Sequence, residues 1–384
     1  MHKIKVVFFV DVLQENFDGV ANTMHRIIEH IPKEEIEPLF VTPLPPLSSD
    51  FPFKVLVVPS IDIPLYKGYP LALPQLRAKL KNSLDEFSPD VVHWSTPSLL
   101  GNFAQRYAAK RGKPTITIFH THFASYVEYY LSFVPGLYTI KPPIERKLLS
   151  IYSKTNLVLA PTPSMADYLS SIGVKNKNLK IWGRGVNSTL FNPQNRNESF
   201  YLDRGVSAKS VKVLFVSRLA NFKEIDTIIR LNKLFQGTDF QMIIVGDGPD
   251  RNRMEKEMVD AVFLGKLIGE ELCVAFASAD LFVFPSLTET FGNVVLEAMS
   301  SGLPVIAAKA GGPSDIIKHG VSGFLVKPRD ERDIFDHCRM LIDNPELYRT
   351  VRLAAISYAQ NQNWNFLCKR YFNQVNVLAN VSEN

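Results

Sequence analysis

Short β-type runs alternate with helix-length segments along the whole chain, in two series separated by one break. The first series runs Ile4 to Val10, Leu39 to Thr42, Val55 to Val58, Val91 to Trp94, Thr115 to Phe119 and Leu157 to Ala160. The second runs Val211 to Val216, Gln241 to Val245, Ala261 to Leu264, Leu281 to Phe284, Val305 to Ala307 and Phe324 to Val326. Strands that each lead into a helix argue for α/β units on a parallel sheet. The break, Ser188 to Phe200, is polar, contains Pro193 and has no periodicity, so it reads as a linker. The expected architecture is therefore α/β with two doubly wound domains, residues 1–190 and 200–362. A helical segment of about 363–384 is expected to pack back on the first domain, and ligands are expected in a cleft between the domains, outside the carboxyl ends of the strands.

Composition narrows the class. Hydrophobic residues at 46% and charged residues at 21% are ordinary globular usage, which excludes a disordered or low-complexity chain. No stretch approaches the roughly 18 apolar residues of a membrane span, and no cleavable signal precedes the first strand, so a cytoplasmic location is expected. Cys273, Cys338 and Cys368 are odd in number and widely spaced, which fits buried free thiols better than disulfides or a zinc site.

The densest chemical cluster is PSLTETFGNVVLEAMSSG, Pro285 to Gly302, directly after the run Leu281 to Phe284. A helix starting near Gly292 leaves backbone N–H groups at Phe291, Gly292, Asn293 and Val294 as an anion site. Glu289 lies before that start and Glu297 one to two turns into the helix, where carboxylates could accept from sugar and ribose hydroxyls. The plain alternative is a first-turn charge and a solvated helix residue. Arg218 and Lys223 follow the run Val211 to Val216, at the end where two cations can clamp a diphosphate, Arg by its fork and Lys as a point charge. Gly19, in Asp18-Gly19-Val20, opens a helix and could admit a phosphate, although the full G-x-G-x-x-G spacing is missing. His120 and His122 end the run Thr115 to Phe119; with no third ligand in view, a hydrogen bond from His120 to substrate is more economical than a metal site.

These residues resemble the retaining, nucleotide-sugar-dependent glycosyltransferases of family 4, which have the GT-B fold. The resemblance covers essentially the whole chain. It is carried by the E-x7-E spacing of Glu289 and Glu297, by SRLANFK, GDGP, DLFVFPS and GRGVN, and, toward GDP-mannose-dependent α-mannosyltransferases and sulfoquinovosyldiacylglycerol synthases, by DGV, FHTHF and WGRGV. It implies that Arg218 and Lys223 bind the donor diphosphate, Glu297 the ribose and Glu289 the donor sugar. It further implies that the amides of Phe291 to Val294 contact phosphate and sugar, that Gly19 closes over the diphosphate and that His120 takes part in catalysis at the donor sugar. The donor would be a GDP- or UDP-hexose, with no cofactor and no metal. Three positions depart from the family: Glu224 follows Lys223 where glycine is usual, Asp18 precedes Gly19 where a second glycine is common, and Asn187 replaces an aspartate.

The net charge of +5 is local: residues 129–184 hold eight basic residues, Lys141, Arg146, Lys147, Lys154, Lys175, Lys177, Lys180 and Arg184, against Glu145 and Asp167. They follow the aromatic segment Tyr126 to Ile140, so Tyr126 and Tyr130 are candidate acceptor contacts for a saccharide or lipid-linked acceptor. The window 126–184 suits peripheral contact with an anionic membrane on its cytoplasmic face, and equally a buried helix with a charged solvent face. One basic window is too narrow for a nucleic-acid surface. Two rival activities remain, a sugar-nucleotide epimerase on the same fold and an NAD-dependent oxidoreductase, the second weakened by the missing G-x-G-x-x-G.

Overall fold

The computed structural model describes residues 3–15, 17–62, 70–77, 79–120 and 150–381. They form two compact units, residues 1–183 with 364–384, and residues 184–363.

The first unit is built on a seven-stranded parallel sheet. Its strands are β1 (Ile4–Phe9), β2 (Ile36–Thr42), β3 (Lys54–Val57), β6 (Val91–Trp94), β7 (Thr115–Ile118), β8 (Leu157–Ala160) and β9 (Leu179–Ile181), in the spatial order β3-β2-β1-β6-β7-β8-β9. A small antiparallel pair, β4 (Ser60–Asp62) and β5 (Pro70–Ala72), stands apart from it. Along β1, Val7 and Phe9 join one apolar cluster, while Val6 and Phe8 join another with Met24 and Ile27 of the helix Gly19–Glu29. From Val6 to Phe9 the strand is apolar at every position, as a sheet covered on both faces requires. The second cluster also takes Leu367, Tyr371 and Val375 from the helix Trp364–Val381, so the end of the chain completes the core of its beginning.

The second unit repeats the plan with β10 (Val211–Val216), β11 (Phe240–Val245), β12 (Val262–Gly265), β13 (Leu281–Phe284), β14 (Val305–Ala308) and β15 (Phe324–Val326), in the order β12-β11-β10-β13-β14-β15. Setting β4 and β5 aside, both sheets grow outward from their first strand in opposite directions. The topological switch falls between β1 and β6 in one unit and between β10 and β13 in the other.

Ser188 to Phe200 is not a free linker. Phe200 is buried, Ser300 Oγ donates to Phe191 O at 2.6 Å, and Arg196 donates to Ala279 O at 3.0 Å, which fastens the segment to the second unit. The three cysteines are free and buried. Strand β9 and the β4–β5 pair have no counterpart in the sequence pattern, because they are three residues long and carry Lys180 or Pro70 where an apolar run would be sought.

Candidate active site

The switch point of the second sheet gathers the residues that carry the motifs. Strand β10 lies between β11 and β13, and its carboxyl end delivers Ser217 and Arg218 into a loop that closes with a single turn, Asn221–Lys223. Leu219 and Ala220 are buried and anchor the loop, leaving the Arg218 side chain exposed. The Gly246-Asp247-Gly248-Pro249 turn buttresses it, with Leu219 N donating to Asp247 O at 2.9 Å and Asp250 N donating to Leu219 O at 3.0 Å. Beside it, β13 ends at Phe284 and the chain reaches Glu289 through Pro285 and Ser286. Thr288 Oγ1 donates to Phe222 O at 3.4 Å, so the two loops touch.

The helix Asn293–Ser300 starts from Gly292, whose φ of 96° lies in the left-handed region that glycine enters without a Cβ penalty. No side chain caps this start. The N–H groups of Asn293 and Val294 precede the first intrahelical bonds, which run from Val295 and Leu296 to Gly292 O. A helix start left open in this way favours an anion. Gly312 seals the loop from behind: its N–H donates to Glu289 O at 2.8 Å, and a Cβ there would stand 2.3 Å from Phe291 Cα. Glu297 is half-buried on the first turns of the helix, and burial together with its negative charge holds the neighbouring Cys273 thiol up at about 11.

Lys223 Nζ bonds Glu289 Oε1 directly, and both side chains are largely enclosed. The two groups assigned to diphosphate and sugar therefore neutralise each other. The next residue, Glu224, has φ of 59° and accepts a fork from Arg329, with Nε at 3.0 Å from Oε2 and Nη2 at 3.1 Å from Oε1.

In the first unit, Gly19 is exposed and opens the helix Gly19–Glu29. Asp18 is its N-cap, accepting from Ala21 N at 2.7 Å, so the residue that departs from the family's second glycine has a structural duty; burial raises its carboxyl pKa, against the bonds from Ala21 and Val20. His120 is half-buried just beyond β7. At the switch between β1 and β6, Thr96 Oγ1 donates to Asp11 Oδ2; burial lifts the Asp11 carboxyl to about 6, Asp18 adds to the rise, and bonds from Thr96 and Ser98 oppose it.

Comparison with known proteins decides the class. A family model for glycosyl transferases group 1 matches residues 210–344, and one for Glycosyltransferase Family 4 matches residues 17–190. A GDP-mannose-dependent alpha-mannosyltransferase of Corynebacterium glutamicum is 30% identical over 95% of this chain and 87% of its own. The sulfoquinovosyl transferase of Arabidopsis thaliana is 32% identical over 90% of this chain and 68% of its own. The chain belongs to glycosyltransferase family 4. Its architecture is the GT-B fold: HepE from Anabaena, solved in complex with UDP-glucose, superimposes with a TM-score of 0.76 at 19% identity, over 97% of this chain and all of the other.

Within this glycosyltransferase, which draws on a nucleotide-sugar donor, the structure brings Arg218, Lys223, Glu289, Phe291 to Val294 and Glu297 to the carboxyl-end side of one sheet. Gly19 and His120 lie in the other unit. His122, Tyr126, Tyr130, Lys141, Arg146 and Lys147 lie outside the described residues. Arg184, counted with the basic surface window, is 3% exposed, and burial lowers its guanidinium to about 9, so it is no part of a charged face. Asp11 and Gly312 are the residues the sequence reading passed over. A polar residue right after a buried strand marks the first, and the Gly311-Gly312-Pro313 sequence after β14 marks the second. Neither the epimerase nor the oxidoreductase reading finds support in these comparisons. Among the described residues, no helix is long and apolar enough to cross a membrane.

Proposed function

We propose that this glycosyltransferase moves a hexose of the mannose or glucose type from GDP or UDP to a hydroxyl of a saccharide or lipid-linked acceptor, with retention at the anomeric carbon. The observation that carries the reading is the cluster of Arg218, Lys223, Glu289 and the open helix start at Gly292 around one switch point. Relatives named for GDP-mannose and for sulfoquinovosyl transfer, and a fold neighbour holding UDP-glucose, support the donor class.

The bond from the anomeric carbon to the diphosphate oxygen breaks as the bond to the acceptor oxygen forms, and the acceptor's proton passes to the leaving phosphate. Negative charge grows on that phosphate, where Arg218, Lys223 and the amides of Asn293 and Val294 stabilise it. Arriving diphosphate takes Lys223 from Glu289, and the released carboxylate accepts from hydroxyls of the sugar. Glu297 accepts from the ribose, and Gly19 and His120 act from the first unit. These fixed cations supply the charge stabilisation that a divalent ion provides elsewhere, so we propose turnover without a metal, unchanged by EDTA.

The acceptor is assigned to the first unit, with Tyr126 and Tyr130 as contacts and the 126–184 window, apart from the buried Arg184, resting on the cytoplasmic face of an anionic membrane. Sedimentation with anionic vesicles, and not with neutral ones, is the expected result. A thermal-shift screen of nucleotide sugars, followed by product analysis with lipid and saccharide acceptors, tests the whole reading. Arg218→Ala and Lys223→Ala should each lose about a hundredfold in turnover. Near-normal rates in both variants would sink the assignment.

A further inference from the structure

We infer that Arg329 is a positioning residue for the donor's diphosphate, acting by cancelling the charge of Glu224 beside Lys223. The inference rests on the reading of Lys223 as a diphosphate ligand.

Among the described residues, three that are not glycine have positive φ: Ser88, Glu224 and Arg329. Two of the three are joined to each other. Glu224 ends the turn that presents Lys223 and begins the helix Ile225–Phe235, while Arg329 lies beyond β15, 105 residues along the chain. Both guanidinium nitrogens that face the carboxylate reach it, Nε at 3.2 and 3.0 Å from its two oxygens and Nη2 at 3.1 Å from Oε1. The burial is lopsided. The Glu224 side chain is 13% exposed and that of Arg329 68%. The carboxylate is thus the enclosed partner and the cation comes to it from solvent.

Position explains why a partner is needed. An anion enclosed one residue from Lys223 acts on any phosphate that Lys223 binds, and in a partly enclosed site that repulsion is poorly screened. Arg329 removes the net charge while leaving the backbone turn in place. Where glycine would take a left-handed φ with no side chain to neutralise, this chain holds a glutamate there by a fork.

The test compares the wild type with Arg329→Gln, Glu224→Gln, the double variant of the two, and Glu224→Gly combined with Arg329→Gln. GDP and UDP binding is followed by calorimetry, and donor KM and kcat by turnover. Arg329→Gln should weaken nucleoside diphosphate binding about three- to fivefold and raise donor KM alike, with kcat nearly unchanged. Guanosine or uridine, which carry no phosphate, should bind all variants equally. Adding Glu224→Gln should restore binding to about the wild-type value, since the uncompensated charge has gone. The inference is overturned if Arg329→Gln binds GDP and UDP like the wild type, or if the double variant stays as weak as Arg329→Gln. Restoration by Glu224→Gly alone, and not by Glu224→Gln, would place the effect in the turn and overturn it too. A wild type that binds neither nucleotide would instead bring down the donor reading beneath it.

Discussion

Asp11 shows how one enclosed group sets a pH dependence. Its carboxyl titrates at about 6 in the folded chain against an ordinary 3.8, with burial as the leading cause. Between those values the folded state holds the proton and the unfolded chain does not. The stability this group contributes is therefore complete below about pH 4 and is lost as pH rises through 6. Asp11→Asn, neutral at every pH, should be more stable than the wild type at pH 8, by on the order of 2 kcal/mol, and equal to it near pH 4. Melting curves at the two pH values check this, and an equal offset at both would show that the carboxyl is charged throughout. Glu289 and Glu297 were legible because their spacing and the strand before them lie within one short stretch of sequence. The Thr96–Asp11 bond and the Arg329–Glu224 fork were not, since their partners stand 85 and 105 residues apart and only the sheet order brings them together.

The loop from Glu289 to Gly292 owes its shape to a neighbouring turn as much as to its own residues. Gly312 lies so close beneath it that a methyl group would meet Phe291 Cα at 2.3 Å and Phe291 O at 2.5 Å, and both are backbone atoms. Gly312→Ala must therefore displace the loop, at a cost of about 2 kcal/mol or more. It should also weaken nucleotide binding more than any stability loss accounts for, a split that thermal melting and calorimetry on the same sample resolve. A second contact between elements joins the two chain segments of the first unit. Tyr371 OH, on the helix Trp364–Val381, shares a hydrogen bond with His93 Nδ1 at 2.8 Å on β6, and burial presses the imidazole down to about 3. A histidine kept neutral takes up fewer protons folded than unfolded, so its support is complete above about pH 6.5 and is lost as pH falls toward 3. Tyr371→Phe leaves the buried ring nitrogen without that partner and should cost about 1–3 kcal/mol at pH 8. At this level most strands could be read from sequence, because a doubly covered parallel sheet writes itself as unbroken apolar runs. Ser188 to Phe200 could not, since its contacts with the second unit are made by Ser300, Ala279 and Ser278.

The chain leaves its first unit at Gly183, builds a second, and returns at Trp364 to finish the first. The last helix is not an appendage. Leu367, Cys368, Tyr371, Phe372 and Val375 are buried among Val6, Phe8, Met24 and Ile27, and Trp182 Nε1 donates to Leu367 O at 2.7 Å. The second unit has its own sheet and its own apolar cluster, drawn wholly from residues 186–359. Cores that share no residues need not melt together. Removing residues 364–384 should therefore lower one calorimetric transition and leave the other in place. Nucleoside diphosphate, whose proposed ligands Arg218, Lys223 and Glu297 all belong to the second unit, should raise the transition that the truncation spares. Truncation uncovers several large apolar side chains on the first sheet, so its transition should fall by well over 10 °C or vanish. A single transition that truncation lowers and nucleotide raises as a whole would show that the two units unfold as one. A truncated chain that melts like the full one would show that the returning helix contributes nothing to the core it covers.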